Sequence, residues 1–245
     1  MKLEMLDVTP LKNAIEIISE LVTEATFLVK KDYVELIAMD PGVVSMVILK
    51  LMKSAFSVYQ VSQEETISVN LNYLKQILKR AKKEKVTIEK TEDEKLRIEI
   101  VNGAKRTFVI PLLNLEEETR KVPELNFPVT VTLSAEDFKD AVEDSSIVSD
   151  SVTLIVNKNS FVIEGKGDLS AQRTEFSNVK IIVEDKNATY KASYSIEYLE
   201  RMIKASKISA EVTIQFDNDY PVKLEYTLLD TISLTFILAP RASVD

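Results

Sequence analysis

Four short stretches of this chain follow one pattern, and their spacing limits the fold more than any other feature. Each has a polar entry, then a large apolar anchor, then paired apolar residues three and four positions on. The anchors are Leu11, Leu74, Phe138 and Leu199, spaced 63, 64 and 61 residues apart. Near-equal spacing is the mark of an internal repeat. The i, i+3, i+4 pattern is that of a helix with one buried face. Around each helix the chain alternates or runs apolar, as strands do. The repeating unit is therefore a strand, a helix and about three strands. Two units make one domain, with two helices side by side backed by antiparallel sheet. Two topologically similar domains make the chain, so the class is α+β.

Strands are expected over 2–7, 25–30, 33–39, 43–49, 66–69, 86–90, 95–101 and 105–112 in the first half. In the second half they are expected over 127–133, 152–157, 160–165, 173–177, 179–184, 190–194, 211–216, 222–228 and 233–238. Glu92-Asp93 and Asn102-Gly103 carry turn chemistry. Asp7 or Thr9 can cap the first helix, which would turn Leu11, Ala14, Ile15, Ile18 and Val22 inward. Ser134 can cap the third. The polar run NLEEETRKVPELN over 114–126 breaks the pattern with three consecutive glutamates and a proline. It reads as an extended linker between a domain over 1–113 and another over 127–245.

The second anchor lies in ISVNLNYLKQILKRAKKEK, residues 67–85. A helix from about Asn70 puts Leu71, Leu74, Ile77, Leu78 and Ala81 on one stripe. The opposite face then carries Gln76, Lys79, Arg80 and Lys83, with Lys75 and Lys82 at its margins. Glu84 is the only acid in or near it. The whole chain has a formal net charge of −8, so this is a basic face on an acidic protein. Such a face suits a polyanion. The plain alternative is a solvated helix exterior.

The 245 residues contain no cysteine and no histidine. Disulfides and thiol-ligated metals are thereby excluded, as is any nucleophile system or metal centre built on imidazole. There are four glycines, and no GxGxxG or GxxxxGK[ST] loop to cradle a nucleotide. No cofactor is implied. An all-carboxylate hydrolase using Asp140, Glu143 and Asp144 is the remaining catalytic reading, and solvated acids account for those residues more simply. No apolar run approaches the roughly 20 residues of a membrane span. The first residues have acids where a signal peptide needs its apolar core, so the expected location is the cytoplasm.

Segments 105–112 and 171–179 are candidate sheet edges. An edge must be paired or protected. Pairing one with the other in a second copy is a heterologous contact, the kind that closes rings. The alternative is a monomer whose edges are blunted by Lys105, Arg106 and Arg173.

The chain resembles the sliding DNA clamps of archaea and eukaryotes, the proliferating cell nuclear antigen family, over essentially its whole length. The pieces that carry the resemblance are VELIAMDPGVVSMV (34–47), NLNYLKQILKRA (70–81), VPEL (122–125), YSIEYLERMIKA (194–205) and ILAPR (237–241). The resemblance implies a non-catalytic protein, one third of a trimeric ring lined by helices and walled by sheet, closing around double-stranded DNA without reading its sequence. It implies a nucleoid-associated processivity factor that an ATP-driven clamp loader opens. It also implies that DNA polymerase, flap endonuclease and DNA ligase bind it through short peptides in DNA replication and repair. Both a homotrimer and a heterotrimer with paralogous subunits fit, and a scaffold of the same fold that never encircles DNA is the alternative function.

By the same resemblance, Lys79 and Lys204 fall where channel-lining lysines are placed, with Lys75, Arg80, Lys82, Lys83, Arg201 and Lys207 as further candidates. The third helix departs from the pattern, with Asp140 and Glu143 leaving Lys139 alone. The first is mixed, with Lys12 against Glu16 and Glu20. The implied peptide pocket comprises Met39, Val44 and Met46, then Val122 and Pro123, then Pro221, Ile237, Ala239 and Pro240. Methionines suit such a surface because they repack easily. Arg120 and Ile237 depart from the family's usual residues there. The implied subunit contact uses Phe108, Ile110 and Leu112 against strand residues that include Arg173 and Phe176.

Overall fold

The structure is a computed structural model, which describes residues 1–115, 121–158, 160–177 and 179–241. Its elements follow the repeat. The first copy is β1 (Lys2–Met5), α1 (Thr9–Ile18), β2 (Glu24–Val29), β3 (Tyr33–Met39) and β4 (Ser45–Met52), followed by a short extra strand, β5 (Val58–Gln60). The second is β6 (Glu65–Asn70), α2 (Leu71–Lys79), β7 (Lys85–Lys90), β8 (Lys95–Asn102) and β9 (Ala104–Pro111). The third is β10 (Val129–Ser134), α3 (Ala135–Ser146), β11 (Ser151–Asn157), β12 (Ser160–Lys166) and β13 (Ala171–Phe176), again with an extra strand, β14 (Lys180–Val183). The fourth is β15 (Thr189–Ser195), α4 (Ile196–Met202), β16 (Glu211–Phe216), β17 (Val222–Leu228) and β18 (Ile232–Leu238).

The chain divides into two compact units. Unit one holds 1–41, 47–122 and 228–234; unit two holds 42–46, 123–227 and 235–245. In unit one, one sheet runs β5-β1-β7-β8-β9 and a second set of strands runs β4-β3-β2-β6. In unit two the matching orders are β14-β10-β16-β17-β18 and β13-β12-β11-β15. The two halves of each unit are thus interlocked. β1 pairs with β7 from the second half, Leu3 opposite Ile88, while β6 pairs back with β2, Ile67 opposite Phe27. Likewise β10 pairs with β16, Val131 opposite Ile214, and β15 with β11, Ala192 opposite Leu154. Every one of these pairings is antiparallel.

The four anchors are buried, as are Ala14, Ile15, Ile18, Ile77, Leu78, Ala141, Val142, Met202 and Ile203. Ile17 is buried too, because α1 packs on sheet and on α2, so its apolar arc is wider than one stripe. The cores of the units differ. The six largest fully buried side chains, Tyr194, Tyr226, Phe138, Phe161, Phe216 and Phe236, all belong to unit two. Unit one instead keeps an apolar void of about 50 Å³ lined by Leu3, Leu11, Phe27, Val69 and Leu74, among others.

Several expected boundaries shift. The first strand stops at Met5, so Asp7 is free to accept the Thr9 N–H at 2.9 Å. Val22 is buried but lies past the end of α1. The strand expected from Val43 starts at Ser45, because Val43 sits at φ 58, where a β-branched residue cannot continue a strand. The strand expected from Phe127 starts at Val129. Gly103, at φ 64, makes the tight turn from β8 to β9, a conformation that costs glycine little.

The largest shift is in the basic stretch. Asn70 caps α2, its side-chain oxygen accepting the N–H groups of Asn72 and Tyr73. The helix ends at Lys79 rather than running on toward Lys85. Ala81 is still buried, but outside the helix, and Lys82 and Lys83 lie in the bend that leads to β7. Of the linker, 116–120 lie outside the described residues, Arg120 among them. The flanking residues 112–115 and 121–127 have no regular structure.

Candidate nucleic-acid interface

Each helix buries its apolar stripe and turns charge outward. In unit one, the residues from each helix start to the next strand carry six cations, Lys12, Lys75, Lys79, Arg80, Lys82 and Lys83, against the acids Glu16, Glu20 and Glu84. One of those acids, Glu84, is buried. Lys75, Arg80, Lys82 and Lys83 have no ion pair within 4.0 Å among the described residues. Lys79 does: its ammonium sits 3.0 Å from the Glu16 carboxylate on α1. The Lys12 ammonium donates to the Ala81 carbonyl at 3.3 Å, tying α1 to the bend after α2.

Beneath that bend lies a buried carboxylate. Glu84 accepts from the Asn102 amide at 2.9 Å and from the Arg106 guanidinium. Arg106 also donates to the Arg80 carbonyl at 3.2 Å. The Asn102 hydrogen bond, with Arg106 beside it, holds the Glu84 carboxyl below its ordinary range. A carboxylate ionised and doubly bonded in this way fixes the loop that presents Lys82 and Lys83.

Unit two has the same scaffold and the opposite balance. Over α3, α4 and the turns that follow, Lys139, Arg201, Lys204 and Lys207 face Glu136, Asp137, Asp140, Glu143, Asp144, Asp150, Glu197 and Glu200. Ser134 caps α3 as expected, accepting the Asp137 N–H at 3.2 Å, and acids in the first turn suit the helix dipole. Lys139 is hydrogen-bonded to Glu136 and lies near Glu143 and Asp140, which holds its ammonium above the ordinary range. Arg201 pairs with Glu197 at 2.6 Å and lies over the Tyr198 ring. Lys204 and Lys207 fall in a 3-10 turn that extends α4. Among the described residues no group of three or more carboxylates is placed to hold a metal ion.

The strands that end a sheet are β5, β9, β6, β13, β14 and β15. Departing chain covers two of them. Leu113 donates to the Ser68 carbonyl of β6 at 2.8 Å, and Arg241 to the Ser193 carbonyl of β15 at 2.7 Å. β5 and β14 are only three and four residues long. The long uncovered edges are β9, of eight residues, and β13, of six. On β9, Phe108 is half-buried and Ile110 is buried, while Leu112 lies just past the strand. On β13, Phe176 stacks on Phe161 with ring centroids 6.0 Å apart, and Arg173 pairs with Glu164 at 2.5 Å and Glu175 at 3.2 Å.

Of the expected peptide-pocket residues, unit two brings Val44 and Ala239 together, the Ala239 N–H donating to the Val44 carbonyl at 3.0 Å. Pro221 and Pro240 are half-buried and Pro123 is exposed. Met46 and Ile237 are buried, so they present little surface in the chain alone. In unit one, Met39 ends β3 half-buried and Val122 is exposed.

A repeated β-α-β-β-β unit, interlocked in pairs, with helices that carry charge outward and one uncovered edge per unit, defines a clamp-type α+β fold. The comparisons agree. The family "Proliferating cell nuclear antigen, N-terminal domain" matches residues 1–116, and its C-terminal counterpart matches 121–241. The DNA polymerase sliding clamp of Pyrococcus furiosus is 40% identical over 235 residues, 93% of this chain and 92% of that one. The one from Thermococcus fumicolans is 38% identical over 91% of each. Among solved structures, PCNA from Thermococcus kodakaraensis superimposes with a TM-score of 0.92 at 24% identity, covering 98% of this chain and 99% of that one. The PCNA2–PCNA3 complex from Sulfolobus tokodaii gives 0.90 at 22%, covering 99% and 100%. These two superpositions show the fold. The chain belongs to the proliferating cell nuclear antigen family, the sliding clamps of DNA replication.

Proposed function

We propose that this clamp subunit is one third of a closed ring, in which helices line the hole and the duplex is held by enclosure. The observation that carries this reading is the outward face of unit one. On a chain of net charge −8, six cations gather over α1, α2 and the bend after α2. Lys75, Lys79, Lys82 and Lys83 supply most of the phosphate contact, with Arg201, Lys204 and Lys207 adding to it from unit two. Lys139 is occupied by neighbouring acids and contributes least. Contact of this kind is electrostatic and blind to sequence, as sliding requires. The uncovered edges β9 and β13 support closure by strand pairing between copies.

The protein does no chemistry of its own in this reading. Replication enzymes reach it by short peptides that carry apolar anchors, taken by residues around Val44, Pro221, Ala239 and Pro240 together with Met39, Val122 and Pro123. Among the described residues no helix is long and apolar enough to cross a membrane, and the place of action is wherever the cell keeps its DNA.

The test is topological. Loaded on closed circular DNA, the protein should stay bound through a salt wash, and cutting the circle once should release it. Equal retention on circular and linear DNA would favour a plain DNA-binding scaffold, and no retention on either a protein-only one.

A further inference from the structure

The hairpin tip between β8 and β9 carries chemistry that the clamp reading does not use. One of the four glycines follows an asparagine, at Asn102-Gly103. Both residues are exposed to water. Gly103 has φ 64, and the space that a side chain would take on it is open, with no atom within 4 Å. Asparagine is thermolabile, and most so before glycine, where no side chain hinders the approach of the next backbone nitrogen.

This pair is set apart by what the Asn102 amide holds. It donates to Glu84 Oε1 at 2.9 Å, and Glu84 is only 8% exposed. The Arg106 guanidinium donates to the second oxygen of that carboxylate and, at 3.2 Å, to the Arg80 carbonyl. The Lys82 N–H is turned to the same carboxylate. One carboxylate thus ties together the hairpin tip, the end of α2 and the bend that carries Lys82 and Lys83.

We propose that Asn102 is a site of spontaneous deamidation, and that its product unlocks this bend. The Gly103 nitrogen attacks the Asn102 side-chain carbonyl carbon. The bond from that carbon to the amide nitrogen breaks, and the amide leaves as ammonia with the proton that Gly103 gives up. A cyclic imide remains. Water opens it at either carbonyl, giving aspartate or, with the chain rerouted through the side-chain carbon, isoaspartate. The net change is amide plus water to carboxylate plus ammonium, and nothing is oxidised or reduced. Both products replace the donor with a carboxylate that faces Glu84. Like charges at one nearly buried site disfavour each other, and a buried acceptor that loses its donor is left with its desolvation cost. Isoaspartate also adds a backbone atom at the tip, where Asn102 stands opposite Ala104. Glu84 is then no longer held, and the bend over it loosens. Only the effect on DNA retention rests on the ring reading; the effect on folding does not.

The experiment is timed incubation of the full chain at mildly alkaline pH, followed by proteolysis and mass analysis. The peptide with Asn102 should gain the mass of an amide-to-acid exchange before any other asparagine does, part of it as isoaspartate. Asn102→Gln, whose ring would be one member larger, should stay unconverted. Asn102→Asp, made directly, should melt about 5 °C below wild type at pH 7. Wild type should drift toward that value as it ages, and Asn102→Gln should not drift. Adding Glu84→Gln to Asn102→Asp exchanges donor and acceptor and should recover most of the loss. On circular DNA, Asn102→Asp should be retained about threefold less. Conversion of Asn102 no faster than of the other asparagines would overturn the site. Asn102→Asp that melts like wild type would overturn the unlocking, whatever its retention. If wild type itself is not held on circular DNA, the ring reading fails, and conversion and melting still decide this one.

Discussion

The helix layers of the two units share their topology, their buried stripe and their anchor spacing, yet they differ in sign. Over these segments unit one carries six cations and three acids, one of the acids buried, and unit two carries four cations and eight acids. The inward face of a repeated helix answers to packing, and only apolar residues of suitable size satisfy it. The outward face answers to whatever that layer meets. A repeat therefore predicts where a helix lies far better than what it touches. Under the proposed ring, the difference predicts that unit one contributes more of the grip on a polyanion than unit two.

The contrast can be broken outright by charge reversal. Lys75→Glu, Lys79→Glu and Lys83→Glu together should cut retention on circular DNA by at least about tenfold at moderate salt, and should flatten its salt dependence. The same reversal at Arg201, Lys204 and Lys207 should cost about threefold. Equal losses from the two sets would abolish the asymmetry. A smaller change sharpens it. Glu16→Gln releases Lys79 from a pair at 3.0 Å, and should raise the salt concentration at which half the protein is washed off circular DNA. An exposed pair is worth little, so the gain should be about twofold.

The cores offer the same kind of contrast in stability. Tyr226 is fully buried, and its hydroxyl has no hydrogen-bond partner among the described residues. Burial drives its pKa far up, so it stays neutral and unpaired. Tyr226→Phe should stabilise unit two by about 1 kcal/mol, read from chemical denaturation, because the desolvated hydroxyl contributes only a cost. In unit one, Glu84→Gln should lower the melting temperature by a few degrees at pH 7. The folded carboxyl titrates below its ordinary 4.5, so its contribution is present above that value. It is lost as pH falls through the folded pKa. The gap between wild type and variant should therefore close in acid, and a gap independent of pH would show that Glu84 acts by shape alone.

Much of this was legible in the sequence, because the anchors repeat and turns such as Asn102-Gly103 announce themselves. Strands 33–39, 211–216 and 222–228 fall where the alternation puts them. What the alternation hid was local competition. Lys79, Arg80, Ala81, Lys82 and Lys83 are all good helix formers, yet the helix stops at Lys79, and the chain turns to β7 over the pair that the buried Glu84 makes with Arg106. β5 was missed because three residues between polar stretches give too short an alternation to register. The acids of α3 were visible from the start.

The interlocking of half-repeats also bears on how the protein is made. β1 finds its main partner in β7, and that sheet is complete only when β9 is in place. A ribosome must therefore release the chain as far as Pro111 before the first sheet can close. Until β7 emerges, β1 has only the short β5 beside it, and β10 of the second unit waits in the same way for β16. Such a product depends on speed of synthesis and on shelter during it, more than its finished stability would suggest.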